Sequence, residues 1–179
     1  MITNKNSSYI LLQRGFSALE LIVVVAVISL LALVALHQFY KLLVDVERSA
    51  MELDLSVMRS ALSMQVADHF AKSRLGDLEA LVSSNPVDLL EEKPDNYLGV
   101  ISYQNLTDIK KGSWLFNERA QELVYLAKNE LYFETSLAPP ARARFKVEAV
   151  YSEASRWGHK AGITGLILKE QEPYRWLKP

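Results

Sequence analysis

The chain contains no cysteine. That excludes a disulfide framework, a thiolate metal centre and a cysteine nucleophile. An exported domain must then hold its core by packing alone, and the roughly one hundred residues beyond Ala71 suffice for one. Proline and glycine are scarce, at six and seven of 179 residues, and neither occurs from Phe16 through Leu75. Nothing in that stretch breaks a helix. Excess charge is also missing: 20 basic residues face 21 acidic ones, for a formal net of -1. Bulk attraction to a polyanion is thereby excluded. Catalytic signatures are absent too, with no H-E-x-x-H, P-loop or G-x-S-x-G pattern. The three histidines, His37, His69 and His159, lie far apart. Adjacent acids such as Glu91 and Glu92 read as a solvated face. The chain reads as a non-enzyme with no cofactor and no metal.

What is there is one long apolar run. From Phe16 to Leu36, Glu20 is the only charged residue, and Ser17 and Ser29 are the only other polar side chains. As a helix these 21 residues would span roughly 32 Å, about the hydrocarbon thickness of a bilayer. Lys5 and Arg14 precede the run, and no Asp or Glu precedes Gly15. Positive charge on that side predicts a cytoplasmic N-terminus, with the rest of the chain beyond the membrane. A secretory signal peptide would need a small-residue cleavage site after the run. Instead "LVALHQFYKLL" continues in helical style. A plain anchor explains length and orientation but leaves Glu20 unexplained. A carboxylate costs a few kcal/mol at the centre of a spanning helix and less near its end.

The stretch "RGFSALELIVVVAVISLLALVAL" resembles the N-terminus of type IV prepilins and type II secretion pseudopilins. In that family a short basic leader ends in Gly and is cut on its cytoplasmic side by an aspartic prepilin peptidase. The new first residue, usually Phe, is N-methylated, and Glu stands fifth. Gly15 matches the residue before the cut, Phe16 the methylated residue, and Glu20 the fifth mature position. The resemblance implies that the apolar helices bundle together in a filament. There Glu20 would compensate the N-terminal amine of a neighbouring subunit's Phe16 and so set register. Such a pair matters more in a low-dielectric bundle than at a surface.

Beyond Leu36 the helical pattern turns amphipathic. Met51, Leu55, Met58, Leu62, Val66 and Phe70 fall on one face. Asp45, Glu47, Arg48, Glu52, Asp54 and Arg59 are expected mostly elsewhere. One helix of some fifty residues, roughly 80 Å long, is the simple reading. A coiled-coil seam is the weaker reading of the stripe, because the heptad is brief. Gly76 is expected to end or interrupt this helix. Short helical pieces follow, with Asp77 capping one and Pro86 opening another.

Past Pro94 the texture becomes strand-like in "YLGVISYQ", "SWLF", "ELVYLA", "ELYFETS", "RFKVEAVYS" and "ITGLILKE". Phe145, Val147, Ala149 and Tyr151 alternate with Lys146, Glu148 and Val150, as in a half-buried antiparallel strand. "GSWLFNERAQELVYL" reads as a hairpin, with Trp114 and Tyr97 as core residues. Together with "NPVDLLEEKPDNYLGV" it is similar to a segment of some minor pilins, including the mannose-sensitive haemagglutinin type. Arg142, Arg144 and Lys146, followed by Arg156 and Lys160, form a modest basic cluster. It fits an edge or exposed strand face, and nucleic-acid binding is its weaker reading. The "NLT" triplet at Asn105 carries little information.

The expectation is an α+β fold, with a long N-terminal helix packed on a C-terminal antiparallel sheet, which is also the pilin fold. Residues 1–15 form a leader, 16–36 a transmembrane or filament-core helix, 37–75 its amphipathic continuation, and 76–179 the head. The resemblance implies a structural minor pilin or pseudopilin, held in the bacterial inner membrane before assembly. Its implied partners are the prepilin peptidase, an inner-membrane platform protein, an assembly ATPase and other pilins. Major pilins often carry a helix-kinking Pro and a C-terminal disulfide loop. This chain has neither, which favours a minor role. The alternative is an adhesive or DNA-binding module on the same anchor.

Overall fold

A computed structural model describes residues 16–102, 106, 108–151 and 163–179. Gly15, Asn105, Arg156, His159 and Lys160 lie outside the described residues. The chain falls into two compact units, divided between Tyr40 and Lys41.

An unbroken α-helix, α1, runs from Ala18 to Ala71. Its start follows from Ser17, whose Oγ accepts a hydrogen bond from the Glu20 N–H at 3.1 Å. Ser17 is thus an N-cap, and Glu20 stands at the third helical position. Its end comes at Ala71, four residues before the Leu75 boundary expected from Gly76. Ser73 adopts φ +54. The Arg74 N–H bonds the His69 carbonyl at 2.9 Å and the Ser73 N–H bonds that of Phe70 at 3.1 Å. This paired closure satisfies two of the last carbonyls and turns the chain out of the helix. A 3-10 turn over Leu75–Leu81 takes up Gly76. Another, Pro86–Leu89, is capped by Asn85, which accepts from the Val87 N–H.

Among the described residues the head carries seven strands. These are β1 (Tyr97–Ile101), β2 (Ser113–Asn117), β3 (Glu122–Leu126), β4 (Phe133–Thr135), β5 (Arg142–Tyr151), β6 (Ile163–Glu170) and β7 (Tyr174–Trp176). Five form a sheet in the order β1-β2-β3-β5-β6, while β4 and β7 pair as a small second sheet. The expected hairpin is present, with Asn117 opposite Glu122 and Ser113 opposite Leu126. Asn117 builds its turn, because Oδ1 accepts from the Arg119 and Ala120 N–H groups. One pairing departs from the antiparallel expectation: β1 runs parallel to β2. A parallel pair needs a crossover instead of a tight turn. Leu106 and Ile109 from that connection pack with Ile101 against Leu115, Val124 and Leu126 on the outer face of the sheet.

The inner face packs on the C-terminal half of α1. Met51, Leu55, Met58 and Leu62 are buried, joined by Val44, and meet Trp114, Leu123, Tyr125, Phe145 and Leu168. Val66 is partly buried in the same cluster. Phe70 is 45% exposed, so the stripe stops one turn short of the expectation. The α+β architecture, a long N-terminal helix packed on a mostly antiparallel sheet, is as expected. In β5 the alternation runs through Ala143, Phe145 and Val147 and fades at Ala149, while Tyr151 is exposed. β5 also lies between β3 and β6, so it is an exposed-face strand and not an edge. The short β7 was not expected. It brings Trp176 edge-on to Phe133, with ring centroids 4.9 Å apart.

Candidate functional site

Two places bear on function. The first is the N-terminal part of α1. Every described side chain from Phe16 to Tyr40 is exposed. Phe16 is 76% exposed and the valines, leucines and isoleucines after it are 41–73% exposed. At ordinary transfer energies, leaving some fourteen large apolar side chains in water would cost on the order of 20 kcal/mol. The segment is long and apolar enough to cross a membrane. An apolar medium, lipid or other helices, would remove that cost. Phe16 immediately precedes the capping Ser17, and Glu20 lies in the first turn with its acid near the positive end of the helix dipole.

The second place is the contact of α1 with the head, through two acids that the sequence reading set mostly elsewhere. Glu47 accepts from the Tyr125 hydroxyl at 3.0 Å, the Lys128 N–H at 2.6 Å and both the backbone and side-chain nitrogens of Asn129. Asp54 accepts from Trp114 Nε1 at 2.7 Å. Burial pushes the Asp54 carboxyl above its ordinary range, and the Trp114 bond opposes that in part. Burial, reinforced by the Glu47 charge, drives the Tyr125 phenol well up. These acids are seven residues apart and each lies between buried stripe positions. Glu47 follows Val44 by three and precedes Met51 by four, and Asp54 stands likewise between Met51 and Met58. That spacing was the available signal.

On the outer face of the sheet, Arg142, Arg144 and Lys146 project from one side of β5, as their alternation requires. They do not act as one patch. Arg144 makes a two-pronged contact with Glu172, Nη2 to Oε2 at 2.8 Å and Nε to both oxygens at 3.1 Å. It also reaches Glu122 at 3.2 Å. The Glu172 bonds hold its guanidinium strongly protonated. Arg142 donates through Nη1 to the carbonyls of Ala138 and Pro140. Lys146 faces Lys169 across the β5–β6 pair, and Lys169 bonds Glu148. Arg144 is thus neutralised by two acids from within the head. Among the described residues, no three metal-ligating side chains converge.

No protein-family model, curated protein or solved structure matches this chain. Any family reading rests on the residues themselves.

Proposed function

We propose that this chain is a type IV pilin-like subunit, a minor pilin or type II secretion pseudopilin, whose work is assembly and not catalysis. The observation that carries the reading is the spacing Gly15, Phe16, Glu20 at the head of an apolar run that continues, as one helix, into the packing face of an α+β head. A signal peptide would not continue so, and a plain anchor would not need the acid.

On this reading the precursor sits in the inner membrane with its N-terminus in the cytoplasm and its head in the periplasm. A prepilin peptidase cuts after Gly15, and Phe16 becomes an N-methylated terminus. The platform protein and assembly ATPase draw the subunit from lipid into a filament with other pilins. Both environments satisfy the exposed apolar helix. Leaving lipid for a bundle carries little hydrophobic cost, so packing and polar contacts decide register. Glu20 supplies one such contact, to the neighbour's terminal amine. Mass spectrometry of the chain from its native membrane tests the proposal. A mature terminus at N-methyl-Phe16 is expected, and an intact Met1 overturns it.

A further inference from the structure

Beside the β2–β3 turn, the outer face of the sheet holds a hollow of about 410 Å³. Leu106 and Val124 contribute apolar walls, and Arg119, Arg142, Glu122 and Asn117 contribute polar ones. Its volume is within the range of small-molecule sites, and its lining is richer in charged groups than is usual for them.

The two arginines are the unusual part. Arg144, also at the hollow, is committed to Glu172 and Glu122. Arg142 spends only Nη1, on two carbonyl oxygens. Its Nε and Nη2 donors meet no acceptor among the described residues. The Arg119 guanidinium has neither a hydrogen bond nor an ion pair among them; only its backbone N–H is engaged, by Asn117. Arg142 is half-buried and forms no ion pair among the described residues, while Glu172, whose charge reaches it, is bonded to Arg144. Burial and the neighbouring Arg144 both weaken its hold on its proton, and the Glu172 charge opposes them in part. A half-buried cation with unused donors, facing an apolar-walled hollow, is what an anion would compensate.

Glu122 narrows the class. It lines the same hollow and its charge is only shared with Arg144. A multiply charged anion such as a phosphate chain would meet that carboxylate, whereas one negative charge held at the arginines would not. Val124 and Leu106 reward an apolar body on the ligand.

We propose that this hollow binds small organic monocarboxylates, the carboxylate held by Arg119 and Arg142 and the apolar body resting on Val124 and Leu106. The assignment is independent of filament assembly, because no residue of the apolar helix takes part.

The test is isothermal titration of the full chain in uncharged-detergent micelles, with N-acetylphenylalanine as probe and its carboxamide and inorganic phosphate as comparisons. The carboxylate is expected to bind at least about tenfold more tightly than the amide, the scale of a charge-assisted contact. Arg119→Gln and Arg142→Gln should each weaken it about tenfold. Arg119 is exposed, so Arg119→Gln should leave the melting temperature unchanged and report on binding alone. Equal affinity for acid and amide, undiminished binding by Arg119→Gln, displacement by equimolar phosphate, or no detectable binding would each overturn the assignment.

Discussion

Replacing Arg144 by Leu separates a surface cation from a structural one. The side chain is 34% exposed, but its partners are not: Glu122 is 13% exposed and Glu172 7%. An exposed ion pair is worth about 0.2–1 kcal/mol. Removing one member of a buried group instead strands charge away from water, at about 3–5 kcal/mol. Here two carboxylates would be stranded together, while the open side of Arg144 lets water in. The lower end of the range, about 3 kcal/mol, is therefore expected. For a chain of this size that lowers the melting temperature by roughly 6–12 °C. Near-ultraviolet circular dichroism in one detergent reads the head's tertiary melting directly. Adding Glu122→Gln and Glu172→Gln to Arg144→Leu should recover most of the loss, because the cost lies in unpaired charge. A melting temperature within 2 °C of the native chain (about 1 kcal/mol or less) refutes the reasoning and returns Arg144 to the surface cations.

Three further outcomes follow from the helix–head contact and the helix end. Glu47→Ala strips the acceptor from four donors and should cost about 2–4 kcal/mol, with faster hydrogen exchange at the Lys128 and Asn129 amides as the local readout. Asp54 has its folded pKa raised above the ordinary 3.8, so its ionisation opposes folding: the penalty is absent below 3.8 and grows as pH rises through the folded value. Asp54→Asn, which keeps an acceptor for Trp114, should therefore match the native melting temperature near pH 3.5 and equal or exceed it at pH 7, whereas Asp54→Ala should fall about 1–2 kcal/mol short through the orphaned indole N–H. Ser73→Gly relieves a left-handed backbone at the close of α1 and should stabilise the head by about 0.5–1 kcal/mol, read as a higher urea midpoint.

The long helix was legible because its signals are redundant: no Pro or Gly across its length, and a 3.6-residue apolar stripe. Its end was less so. Gly76 is the expected stop, yet Ser73 takes the left-handed position, and only the backbone bonds reveal that. The strands were legible from their β-branched and aromatic residues, since each is read locally. Parallel pairing of β1 with β2 depends on where an eleven-residue connection travels, and residue pattern does not encode that path. The same limit hid the fate of Arg144. Its partners are 22 and 28 residues away in sequence, so adjacency to Arg142 and Lys146 suggested a shared cationic face. Glu47 and Asp54 were missed for another reason. Charge in a sequence is ordinarily a mark of solvent, yet both acids lie along the buried stripe and meet polar groups of the head.

Glu20 has two physical accounts, and the structure sharpens the difference between them. Ser17 accepts the Glu20 N–H, which is half of a capping box, and an acid in the first turn complements the helix dipole. That local account needs no neighbour. It is satisfied nearly as well by glutamine, which serves at the same capping-box position and loses only the dipole contribution, about 0.3–1 kcal/mol. The assembly account requires negative charge, because its partner is an amine in a medium where little else screens it. Glu20→Gln therefore distinguishes them where Glu20→Val, which disturbs both, would not. If the neighbour's amine is the partner, Glu20→Gln keeps a stable, membrane-inserted and processed subunit but loses incorporation into filaments. The measurement is the ratio of sheared-filament to membrane-bound chain on immunoblots, in a strain lacking the native copy. A ratio equal to that of the native chain would assign Glu20 to helix capping and remove the reason for giving it a role in register.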